Sequence, residues 1–137
     1  MRYILIIASV ILLAKPLFGN SHTVENLFGW HTSSGVQLRK FGDNDTHPVY
    51  NGEAKNGQPN GMGIMIFPDG RKYVGEYKNG KKHGLGTLSY VKGERKGEKY
   101  IGEFKEGKMW SIRKYNVDRK YVGEYKNGLV WNGIVYE

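Results

Sequence analysis

The residues in this chain that could do acid–base work are its glutamates. Glu53, Glu76, Glu103 and Glu124 recur at one position of four similar strings. Paired carboxylates are the machinery of glycoside hydrolysis. These acids, however, recur as a structural repeat would place them, each with a neighbour suited to pairing, and they do not converge. Four histidines, few serines and no nucleophile, phosphate-cradling or metal motif complete the inventory. Asp43 and Asp45 have the spacing that opens a calcium loop, but the later ligands and the closing glutamate are missing, so GDNDTHP reads as an Asx-rich turn. Cysteine is absent, which excludes a thiol nucleophile, a cysteine zinc site and a disulfide framework. The expectation is a non-enzyme with no metal and no cofactor.

The elements that carry these residues repeat. YNGEAKNG from Tyr50, YVGEYKNG from Tyr73, YIGEFKEG from Tyr100 and YVGEYKNG from Tyr121 align without gaps, their starts 23, 27 and 21 residues apart. That is the length of one hairpin plus a turn. The first two copies continue as NGMGIMIFPDG and HGLGTLSY. The pattern resembles the MORN repeat, Tyr-x-Gly-Glu-aromatic-x-x-Gly followed by a Gly-x-Gly-Thr strand and a Pro-Asp-Gly turn, over Tyr50 to Glu137. The resemblance implies an all-β fold, an open antiparallel β-meander of tandem hairpins. It implies a protein-interaction scaffold, with dimers among its members and lipid association as a second theme.

Asn79-Gly80 is a strong signal for a two-residue type I′ hairpin. Centring the turn there places Val74 opposite Leu85, Gly75 opposite Gly84, Glu76 opposite His83 and Tyr73 opposite Gly86. The same rule at Asn56-Gly57 places Gly52 opposite Gly61, Tyr50 opposite Gly63, and Pro59 in a non-hydrogen-bonded pair with Ala54. Alternation then puts Tyr73, Gly75, Tyr77, Gly84 and Gly86 on one face and Val74, Glu76, His83 and Leu85 on the other. Tyrosine rings lying over strand glycines make the first face the structural one. Its repeat positions are Tyr50, Gly52, Tyr73, Gly75, Gly84, Gly86, Tyr100, Gly102, Tyr121 and Gly123.

In the last two copies the return strands read KMWSIRKY and LVWNGIVY, without Gly-x-Gly. The hairpin register sets Trp110 opposite Glu103 and Trp131 opposite Glu124, where His83 stands in the second copy. Asn60, His83, Trp110 and Trp131 therefore form a row that is the candidate ligand face, or else the tryptophans close the end of the sheet. Candidate anion-binding residues are Lys81, Lys82, Arg95 and Lys96; KGERKGEK from Lys92 to Lys99 reads as a solvated hairpin loop.

Residues 22–49 lack the repeat. Gly29 to Thr32 and Val36 to Phe41, divided by Ser33-Ser34-Gly35, read as a short hairpin that caps the open edge of the first repeat. Upstream, Arg2, an apolar run from Tyr3 to Ala14, then Lys15 and the small residues Gly19 to Ser21 have the layout of a secretory signal peptide over residues 1–21. An uncleaved anchor is the alternative, although a spanning helix needs roughly 20 apolar residues.

The formal net charge of +8 favours anionic partners without naming one. The expected location is periplasmic or extracellular, with envelope association. The expected function is non-catalytic binding of a protein partner through a repeat face, with a homodimer as one such partner. The alternative is an anionic-lipid or anionic-polymer binding module. Nucleic acid is disfavoured by export and by the lack of a recognition helix or base-stacking motif.

Overall fold

The computed structural model describes residues 27–131. The leader assigned to residues 1–21 lies outside the described residues, as do residues 22–26 and 132–137. Ten strands follow in chain order: β1 (Leu27–Thr32), β2 (Gly35–Arg39), β3 (Val49–Lys55), β4 (Gln58–Ile66), β5 (Arg71–Lys78), β6 (Lys81–Tyr90), β7 (Lys99–Lys105), β8 (Lys108–Tyr115), β9 (Tyr121–Lys126) and β10 (Leu129–Trp131). They form one open antiparallel sheet in the order β10-β9-β8-β7-β6-β5-β4-β3-β1-β2. The repeat array is a meander, each hairpin paired to the next.

The turns fall where the sequence puts them. Asn56, Asn79, Glu106 and Asn127 all adopt positive φ, between 50° and 53°, as the first central residue of a type I′ turn requires. Lys55 faces Gln58 and Ala54 faces Pro59; Lys78 faces Lys81 and Tyr77 faces Lys82. Beyond those pairs the expected register fails. Gly52 faces Gly63 rather than Gly61, and Tyr50 faces Met65 rather than Gly63. Gly75 faces Gly86 rather than Gly84, Val74 faces Thr87 rather than Leu85, Tyr73 faces Leu88 rather than Gly86, and Glu76 has no partner at His83.

The cause is a bulge in each hairpin. Glu53 alone opposes Asn60, Gly61 and Met62, and Glu76 alone opposes His83, Gly84 and Leu85. Gly84 turns through φ +63° to make this possible, a conformation that side-chain-bearing residues rarely adopt. The repeat glutamate then fills the gap. Met62 N–H donates to Glu53 Oε2 at 3.1 Å, and Leu85 N–H donates to Glu76 Oε1 at 3.1 Å. An amide that the bulge removes from the ladder is thereby satisfied by a side chain. The recurring acid belongs to the architecture.

One face of the sheet is covered. Tyr50, Met65, Tyr73, Tyr77, Leu88, Tyr100, Phe104 and Ile112 are buried there, with Val36 of β2 and Phe67. Tyr73 meets Tyr77 and Phe104 edge-on, with centroids 5.1 and 5.0 Å away, in the arrangement that ring quadrupoles favour. A Cβ at Gly63 would overlap the Tyr50 ring, and one at Gly86 the Tyr73 ring, so the second glycine of each Gly-x-Gly is there to leave room. Each ring ends in a hydrogen bond: Tyr50 donates to Glu53 O at 2.6 Å and Tyr73 to Glu76 O at 2.9 Å.

The N-terminal hairpin β1–β2 joins the sheet through β1, which pairs with β3 at Leu27–Tyr50 and Phe28–Val49. β2 then lies across the tips of two repeat hairpins. Leu38 N–H donates to Gly57 O at 2.7 Å and Val36 N–H to Gly80 O at 2.9 Å, while Gly80 N–H donates to Pro59 O at 2.9 Å. Val36 is set over the covered face by these bonds.

Candidate functional site

Asn60, His83 and Trp110 occupy equivalent positions, three residues after the turn glycine, and each leans on the turn of the following hairpin. Asn60 Oδ1 accepts from Asn79 N–H at 3.1 Å. His83 Nδ1 lies 3.7 Å from Glu106 Oε1. The Trp110 ring lies alongside Gly128 and carries the Lys105 ammonium 4.5 Å above its centre. Asn60 and Trp110 are therefore engaged with the next repeat, while His83 Nδ1 is buried, makes no hydrogen bond and only faces Glu106. Trp110 is the extra residue of a one-residue bulge, and Glu103 faces Ser111 instead. Trp131 does face Glu124, and its side chain lies outside what is described.

The four candidate cations do not form one patch. Lys81 and Lys82 begin β6 and the Arg95 loop follows its end, so roughly 25 Å of strand separates them. Arg95 is committed to its own surroundings. Its guanidinium donates to Glu98 Oε2 at 2.7 and 3.0 Å and to Tyr90 Oη at 2.6 Å, and it stacks on the Tyr90 ring with 4.0 Å to the centroid. That pairing raises the arginine pKa and lowers that of Glu98. Lys96 is exposed. Lys81 lies 4.0 Å from Glu106, and Lys82 turns in towards the covered face, its ammonium 5.1 Å from the Phe67 ring centre and 5.4 Å from that of Tyr73.

Asp43 and Asp45 build an Asx turn, Asp45 N–H donating to Asp43 Oδ1 at 2.8 Å. Among the described residues no group of three or more potential metal ligands is gathered.

Three features escaped the sequence reading as sites. The opposite face of the sheet is open: Met62, Leu85 and Ile101 are 46%, 66% and 42% exposed and line a shallow groove of about 290 Å³ with Val74 and Thr87. Alternation assigned Val74 and Leu85 to this face, but the bulges decide which side chains meet there. On the N-terminal hairpin Trp30 is stacked against His47 at 4.0 Å, with the Arg39 guanidinium 4.6 Å from its ring centre. Between β2 and the covered face lies a cavity of about 220 Å³ that Lys82 and Tyr77 both line. No sequence signal brings β2 onto the turns of the repeats.

An open sheet of tyrosine-over-glycine hairpins with a free apolar face is the architecture of a repeat-built binding surface. The MORN repeat family model matches residues 50–70, 73–95, 100–111 and 121–129, and the chain is a MORN-repeat protein. No curated protein matches it. MORN repeats are typically binding repeats rather than catalytic ones, and the bulge-filling role of Glu53 and Glu76 agrees with that.

Proposed function

We propose that this protein is an exported, non-catalytic scaffold that holds a protein partner on the open face of its repeat sheet. The observation that carries the reading is the exposed strip of Met62, Leu85 and Ile101 over the backbone of Gly75, Gly86 and Gly102, where the groove forms. A strip of this kind on a strand-paired surface offers apolar contact without competing for the ladder. Glu103, exposed beside it and without a side-chain hydrogen bond among the described residues, supplies a charged rim. Export, with a periplasmic or extracellular location and envelope association, rests on the apolar run and small-residue stretch of residues 1–21.

The anionic-lipid reading is weaker, because the four cations invoked for it are separated and Arg95 is paired. A photo-crosslinker placed at Thr87, in cells of the source organism, tests the protein reading. It is expected to trap one or a few envelope proteins, and Leu85→Glu with Ile101→Glu is expected to abolish the adduct while leaving the melting temperature within about 2 °C. Adducts unchanged by the double substitution, or binding that instead transfers to anionic vesicles and collapses at moderate salt, would overturn it.

A further inference from the structure

We propose that the cavity beneath β2 is a binding site for a small carboxylate with an apolar body, held between the Lys82 ammonium and the Tyr77 hydroxyl. Tyr77 is 5% exposed, lines the cavity, and its Oη is a buried polar atom with no hydrogen-bond partner. Tyr50 and Tyr73, its neighbours on the same face, both satisfy theirs on backbone carbonyls. A buried unsatisfied hydroxyl is costly and calls for a partner.

Lys82 supplies the second group. It stands opposite Tyr77 in the hairpin, so both side chains project to the same face. Among the described residues Lys82 makes no ion pair: the nearby Asp69 is bound to Arg71 at 2.7 Å, and Glu106 is shared by Lys81 and His83. Burial, and then the positive Arg71 nearby, pull its pKa down to about 8, with Asp69 opposing. The site therefore holds a cation that lacks its counter-charge.

The remaining walls set the ligand's shape. Val36, Met65 and Phe67 are buried apolar side chains lining the same space. Arg71 and Lys81 also line the space but face Asp69 and Glu106, so the Lys82 ammonium and the Tyr77 hydroxyl are the pair left to match the two oxygens of a carboxylate, and the apolar walls suit an aryl or alkyl body. A volume of about 220 Å³ lies below the roughly 300–1,000 Å³ of drug-sized sites, so the ligand is fragment-sized. The cavity exists only because β2 is bonded across Gly57 and Gly80, so an occupant would also clamp the N-terminal hairpin to the array.

Calorimetric titration of the full chain with phenylacetate and with octanoate tests this. At least one is expected to bind one to one, and phenylacetamide, which has no charge, is expected to bind at least about tenfold more weakly than phenylacetate. Lys82→Met is expected to weaken the carboxylate about tenfold or more, and Tyr77→Phe about threefold to fivefold. Raising the pH from 7 to 10 is expected to weaken binding to the unsubstituted protein, because the ammonium discharges. His31, Arg71 and Lys81 also line the site, with Asp69 paired to Arg71 and Glu106 near Lys81, so the same pH series on Lys82→Met is the control and is expected to be flat. Melting curves without ligand verify that both variants fold, and Lys82→Gln replaces Lys82→Met if that variant does not. No heat from either carboxylate up to about 10 mM, or equal affinity in the folded Lys82 variant, would overturn the proposal. Partner capture on the open face is a separate property and is unaffected by either result.

Discussion

The second and third hairpins carry the same outgoing strand, Tyr-x-Gly-Glu-aromatic-Lys, yet they solve the covered face in opposite ways. In the second, Gly75 faces Gly86, the empty space above the pair takes the Tyr73 ring, and the ring's hydroxyl closes on Glu76 O. In the third, Gly102 faces Ile112, which is 1% exposed and fills the space itself. Tyr100 is buried too, but its hydroxyl goes to Arg95 and Glu98 in the β6–β7 loop. The third return strand has neither glycine of the Gly-x-Gly, and its bulge is shorter, one extra residue instead of two. Glu103 is consequently left outside it, where Glu76 had an amide to satisfy. A repeat position is thus a volume to be filled, and ring and aliphatic chain are interchangeable only when the glycine pattern changes with them.

The largest expected effect tests that complementarity. Ile112→Ala opens a cavity in the third hairpin and is expected to cost about 2–5 kcal/mol. Gly86→Ala, at the aligned position of the second, adds a methyl group where the Tyr73 ring already lies and is expected to cost about 1–3 kcal/mol. Chemical denaturation of both variants measures this. If alanine were tolerated at either position, the two hairpins would not differ in the way described.

Lys82 sharpens the comparison from another side. It stands two residues after the turn glycine, where the third hairpin has Met109, which packs against the core. In the folded chain its pKa is about 8 against an ordinary 10.5. Below pH 8 both folded and unfolded states carry the proton, and burial of the charge opposes folding in full. Between 8 and 10.5 the unfolded chain binds more protons, so stability rises with pH. Lys82→Met is therefore expected to be more stable than the parent at pH 7 by on the order of 1–2 kcal/mol, after allowance for solvent screening. The advantage should shrink towards zero near pH 10.5. Tyrosine ionisation destabilises both proteins alike at that end and cancels in the difference. A constant offset across pH would assign the gain to packing alone.

Much of this was legible in the sequence, and the boundary is physical. Turn positions, strand order and the tyrosine face as far as Tyr100 followed from turn spacing and alternation, which are local rules; Tyr121 of the fourth copy, expected on that face, is 37% exposed. The register did not follow, because HGLG can be read either as plain strand or as a bulge followed by a paired glycine. Only the need to house a ring over Gly86 selects the second. Asn60, His83 and Trp110 share a place three residues after the turn glycine, but the register that set His83 and Trp110 opposite glutamates fails, and their neighbours lie in the next repeat, of which sequence within one hairpin says nothing. The cavity was beyond reach because it depends on β2 crossing the tips of two other hairpins. Lys81 and Lys82 looked alike as neighbours in a basic pair; the pleat separates them into a rim residue and a partly buried one.

The smallest expected effect concerns the tyrosine hydroxyls. Tyr73→Phe keeps the ring over Gly86 and removes the bond to Glu76 O, leaving a carbonyl in the bulge without that donor. A cost of about 1 kcal/mol is expected. Tyr100→Phe removes a hydroxyl from a group in which Arg95 and Glu98 still bond each other and Arg95 still bonds Tyr90, so its expected cost is below about 0.5 kcal/mol. The Tyr100 hydroxyl is itself pushed up to about 12, mainly by burial, with Arg95 opposing and Glu98 adding to the rise. It is thus neutral at any working pH and acts only as a dipole in the loop. Denaturation midpoints for the two phenylalanine variants give the ratio directly. Equal losses would mean that the loop clamp holds the third hairpin as firmly as the backbone bond holds the second.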